Sequence, residues 1–82
     1  MLTEYIHKAL ARARYELLKD GTYYGEIPGF RGVWANAKRL EACREQLREV
    51  LEDWIVVSLQ LGNRLPVVPG VKPFPKKARL AV

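Results

Sequence analysis

Apolar and polar positions follow three different rhythms along this chain. Leu2, Tyr5, Ile6, Ala9, Leu10 and Ala13 are separated by steps of three and one. That spacing marks one helical face and predicts a short helix from Thr3 to Ala11. Thr3 is placed to cap it, and Glu4 suits its first turn. From Arg14 to Leu18 the period changes to two, with Tyr15 and Leu17 on one side. Asp20-Gly21 then tolerates the positive φ of a tight hairpin between two β-prone runs. Tyr23–Ile27 reads as the second strand: Tyr23, Gly25 and Ile27 face one way, Tyr24 and Glu26 the other. Gly25, in mid-strand, leaves room for a close approach by another element. Pro28 ends the ladder, and Pro28 to Gly32 forms a turn. Val33–Asn36 is the third strand, with Val33 and Ala35 on one face and Trp34 on the other.

The third rhythm is the longest. Leu40, Cys43, Leu47, Val50, Trp54, Val57 and Leu61 alternate steps of three and four, which places them on one stripe of a helix. Leu51, Ile55, Ser58 and Leu59 widen that stripe enough to cover a sheet. Glu41, Arg44, Glu45, Arg48, Glu49, Glu52 and Asp53 occupy the other side, with pairs of opposite charge at spacing three and four. Gly62 and then Pro66 mark the end. The start falls between Ala37 and Leu40, because Arg39 has no side-chain acceptor to cap it.

Together these elements predict an α+β domain: a short N-terminal helix, a three-stranded antiparallel sheet, and a long helix packed on it. A short fourth strand is expected around Val71–Phe74. Both sheet faces carry apolar groups, and one helix covers only one face. The N-terminal helix or a second chain is therefore expected over Tyr24 and Trp34. With 82 residues there is room for one small domain, assigned to residues 1–65. Residues 66–82 form a proline-rich basic tail, which has four of the five prolines.

Charge separates those two parts. Residues 1–63 balance nine acidic side chains with nine basic ones. Arg64, Lys72, Lys76, Lys77 and Arg79 supply the net charge of +5, with no acid among them. A basic tail on a neutral body differs from a basic folded face built for nucleic acid. Lys72, Lys76, Lys77 and Arg79 are nonetheless candidates for contact with a polyanion, RNA or DNA included. The single cysteine forbids an intrachain disulfide and points to a reducing, cytoplasmic compartment. No segment has the form of a secretion signal, and the longest uncharged run, Ile55 to Asn63, is too short to span a bilayer.

The chemistry legible in the residues is that of binding. The acids lie mainly on the solvated side of the long helix, not clustered for Mg²⁺. Cys43 lies on the apolar stripe, where thiols are inert. His7 is off the apolar face of its helix and reads as a solvated surface residue, with no second histidine to share a metal. Gly29 and Gly32 flank a turn and do not open a phosphate-binding helix. No catalytic residue, metal or cofactor is expected. Tyr24, Arg31 and Trp34 make the best contact patch, since such residues anchor interfaces.

From Tyr23 to Pro66 the pattern Tyr24-Gly25, Ile27-Pro28, Gly32-Val33-Trp34-Ala35, the helix through Trp54 and the Gly62…Leu65-Pro66 end resembles the HicB-like antitoxin domain of HicA–HicB toxin–antitoxin pairs. The resemblance implies a partial ribonuclease-H-like β-β-β-α-β fold in a prokaryotic protein that self-associates as a homodimer or higher even oligomer. It also implies a partner: a small mRNA-cleaving HicA-type toxin, neutralised when its active surface is covered. Catalysis then belongs to the toxin. This sequence departs from the family pattern in having Arg39 where Ser or Thr is usual, Ala37 near a usual Gly, and a helix ahead of the first strand. The helix-turn-helix or ribbon-helix-helix of fuller members does not follow Leu65, so operator binding is not implied.

Overall fold

A computed structural model describes residues 2–68 of the protein. Helix α1 runs Leu2–Ala11, and strands β1, β2 and β3 run Arg14–Leu17, Tyr23–Glu26 and Trp34–Ala37. Helix α2, Leu40–Gln60, closes the series. This is the expected α+β arrangement, with boundaries moved by a residue or so. Lys72, Lys76, Lys77, Arg79 and the expected strand at Val71–Phe74 lie outside the described residues.

The sheet is antiparallel in the order β1-β2-β3. Its register places Tyr15 beside Gly25 and Gly25 beside Ala35, while Glu16, Tyr24 and Asn36 line up across the strands. The first hairpin closes as its residues suggest. Gly21 adopts φ +86°, Leu18 N donates to Thr22 O (2.8 Å), and the Asp20 carboxylate accepts from Thr22 N (3.0 Å) and Thr22 Oγ1 (2.6 Å). Those bonds favour the ionised form and hold the Asp20 carboxyl below its ordinary range.

The second connection is two turns in succession. Phe30 N donates to Ile27 O (3.1 Å) and Val33 N to Phe30 O (3.3 Å). Gly29 and Gly32 take φ +87° and +83° at the third position of each, as type II turns demand. The pair of turns swings Phe30 into the core. There its ring meets Trp54 edge-on at 5.3 Å and Tyr5 at 6.2 Å.

The core lies between the sheet and the two helices: Tyr5, Ala9, Ile27, Phe30, Val33, Ala35, Cys43, Leu47, Leu51, Ile55 and Val68 are buried. The chain stays on this core after α2, since Tyr5 Oη donates to Pro66 O and Val68 is buried. Burial pushes the Tyr5 hydroxyl up to about 12. Helix α2 ends in a Schellman motif, with Asn63 N donating to Ser58 O (2.9 Å) and Gly62 N to Leu59 O (3.1 Å). Its start is bare: Arg39 is the N-cap and makes no side-chain cap.

Two expectations are corrected. The buried line of α2 is Cys43, Leu47, Leu51, Ile55 and Ser58. Of the predicted stripe, Val50 and Trp54 are half-buried, while Leu40, Val57 and Leu61 are exposed. The stripe repeats every 3.5 residues and a straight helix every 3.6, so contact drifts by about 20° per heptad and moves onto Leu51, Ile55 and Ser58. In the second, of the two covers expected over Tyr24 and Trp34, the N-terminal helix or a second chain, α1 is excluded. It shares the core with α2, and among the described residues no element covers the far sheet face.

Candidate functional site: the bare sheet face

Strand alternation assigns Arg14 and Glu16, Tyr24 and Glu26, and Trp34 and Asn36 to the uncovered face. At its centre the Trp34 ring stacks on Tyr24, with centroids 6.1 Å apart and planes at 25°. Trp34 is 53% exposed, an unusual state for so large an apolar side chain. Tyr24 Oη donates to Glu26 Oε1 (3.1 Å). Its pKa is raised, first by desolvation and then by the Glu26 bond and the negative charges of Glu26 and Glu16. At the hairpin end, Asn36 Nδ2 donates to Thr22 Oγ1 (2.9 Å) and Tyr23 O (3.0 Å). Tyr24, directly opposite Asn36, therefore stands between Trp34 and an anchored polar network.

The double turn brings the third candidate residue to this place. Arg31 is exposed, and with Tyr24, Glu26, Pro28 and Trp34 it lines a shallow hollow of about 260 Å³. The three residues singled out as a contact patch thus border one depression.

A larger hollow, about 530 Å³, was not anticipated from the sequence. It separates α1 from α2 and is lined by Ile6, His7, Leu10, Tyr15, Arg44 and Arg48, among others. The signal for it was present: α1 has more apolar positions than one narrow contact line uses. His7 is exposed at its rim. Cys43 is fully buried, its Sγ 3.7 Å from Ala35 O, and burial raises its pKa, so it stays a thiol at neutral pH. Among the described residues no three His, Cys, Asp or Glu side chains are grouped to hold a metal ion. Nor is any described helix long and apolar enough to cross a membrane.

A two-layer α+β unit with one aromatic sheet face left open is the class of molecule these features define. The chain belongs to the UPF0150-like family, whose pattern matches residues 4–66, a small family related to the HicB-like antitoxins. A crystal structure of TTHA0281 from Thermus thermophilus is similar to it, with 46% sequence identity and a TM-score of 0.82, over 90% of this chain and 94% of that one. No curated protein matches.

Proposed function

We propose that this protein is a non-catalytic antitoxin that covers the active surface of a small mRNA-cleaving HicA-type toxin. The observation that carries the proposal is the stacked, half-exposed Trp34 on a sheet face that no element of the described fold covers. Tyr24, Arg31 and Trp34 belong to the residue classes that dominate binding energy, and they border one depression. Family membership and the relation of that family to HicB-like antitoxins support the same reading. The titratable groups agree with a binding role: Cys43 is sealed in the core, and the acids of α2 are spread along a solvated side.

The test is co-expression with the product of the adjacent reading frame. Co-purification and loss of that product's RNA cleavage are expected. Trp34→Ala should weaken the complex by roughly 2 kcal/mol, about 30-fold in Kd, while leaving the fold intact. An unchanged Kd in a folded Trp34→Ala variant removes this face from the interface. Activity of the toxin in the presence of excess wild-type chain removes the antitoxin reading altogether.

A further inference from the structure

At the C-terminal end of α2, apolar side chains stand in solvent on nearly every side. The first half of the helix keeps charge opposite its buried stripe, with Glu41, Arg44, Glu45, Arg48 and Glu49, as a surface helix ordinarily does. From Trp54 to Asn63 there is no charged residue. Ile55 and Ser58 in this run are buried in the core. Val56, Val57 and Leu59 are about half exposed, and Leu61 is 70% exposed. Val56 and Leu59, three residues apart, are neighbours on one side of the helix; Val57 and Leu61, four apart, are neighbours on another. Gln60 is the one polar side chain among the exposed residues from 56 to 61. A helix apolar on all sides is one that ends up covered.

Two further features say what covers it. The carbonyls of the last turn already have partners. Leu61 N donates to Val57 O (3.0 Å), Gly62 N to Leu59 O (3.1 Å) and Asn63 N to Ser58 O (2.9 Å). An end closed in this way leaves water without baring its backbone, which a hydrocarbon surrounding demands. The charge around the patch also has a single sign. Arg64 is exposed just beyond the helix. Lys72, Lys76, Lys77 and Arg79 follow it in sequence, with no acid between Trp54 and Val82. Lys72 comes only four residues after Val68, which is buried in the core.

We propose that this end of the molecule docks on an anionic lipid bilayer. Val56, Val57, Leu59 and Leu61 enter the boundary between headgroups and acyl chains, and the basic residues from Arg64 onward meet the lipid phosphates. Peripheral binding of this kind combines a modest apolar area with attraction to anionic lipid. Charge and chemistry decide between this occupant and two others. A second copy docked through the same patch would bring two sets of five basic residues together with no acid between Trp54 and Val82 to offset them. A nucleic acid matches the charge but offers phosphates and stacking faces, which leave valine and leucine side chains in water. An anionic bilayer answers both features at once. Helix α2 and Trp34 lie on opposite sides of the sheet, so the bilayer and a partner on the Trp34 face do not compete.

The experiment is co-sedimentation of the full chain with two kinds of vesicle, phosphatidylcholine alone and phosphatidylcholine with about one-third phosphatidylglycerol. Binding to the anionic vesicles is expected, about tenfold or more tighter than to the neutral ones. It should fall several-fold between about 0.1 and 0.5 M salt. Val56→Gln combined with Leu59→Gln keeps every charge and uses a good helix former. That double variant should lose about tenfold in affinity for the anionic vesicles, with an unchanged circular dichroism spectrum. Arg64→Gln should lose about fivefold. Wild type left in the supernatant with both vesicles overturns the inference; that is the result if a second copy, residues 69–82 or a nucleic acid takes the patch. Equal binding to the two vesicles also overturns it. So does a folded double variant that binds as wild type does, because the basic charges then act alone. None of these readings involves a toxin, so the antitoxin proposal stands or falls separately.

Discussion

At Gly25 a Cβ would lie 2.9 Å from the Tyr15 ring and 3.1 Å from Cys43 Sγ. Three elements meet at that point, so the absence of a side chain lets β2 sit under α2. Gly25→Ala should cost about 1–3 kcal/mol in urea unfolding, because both neighbours must shift. A neutral result would mean that the close approach relaxes in solution. Tyr5 makes the second residue-scale prediction. Its hydroxyl is raised from 10.0 to about 12 in the folded state. The neutral form is thus preferred on folding, and that contribution is complete below pH 10 and fades as pH climbs from 10 toward 12. Wild type should lose stability across that window, and Tyr5→Phe should flatten the loss. The same variant should cost about 1 kcal/mol at neutral pH, through the hydrogen bond to Pro66 O. A melting series against pH separates the two effects.

At the scale of elements, α2 is the least economical piece. Its 21 residues span about 31 Å, whereas the four-residue strands beneath it span about 13 Å. The helix overhangs the sheet, which is why Val56, Val57, Leu59 and Leu61 remain exposed near its C-terminal end. Its two termini differ in quality. The C-terminal end has a complete Schellman motif, while the N-terminal end offers its free N–H groups an arginine. Arg39→Ser should therefore stabilise the protein by about 0.5–2 kcal/mol in urea unfolding. A destabilised variant would mean that Arg39 makes a contact worth more than a cap. The uncapped start was legible in the sequence, because it depends only on the residue at one position. Phe30 was not. A residue in a Pro-Gly-Phe-Arg-Gly turn looks exposed, and only the paired glycines, both at positive φ, turn it inward onto Trp54 and Tyr5.

For the molecule as a whole, the sheet face around the half-exposed Trp34 is the surface that no described element covers. If the sheet face around Trp34 is the toxin surface, each chain should hold one toxin, and light scattering of the purified complex should show equal numbers of the two chains. A ratio of one toxin per two chains would mean that this face is not free on every chain. The order of the elements, the hairpin at Asp20-Gly21, the outward set of Trp34 and Tyr24, and the apolar character of α2 are all written in local spacing. Short-range periodicity and turn chemistry act on neighbouring residues and need no knowledge of the rest of the chain. Which line along α2 is buried, which side α1 takes, and the convergence of Arg31 with Trp34 around one hollow were decided by packing. Those features depend on the helix's drift against a flat sheet and on contacts between residues far apart in sequence, and no local pattern encodes either.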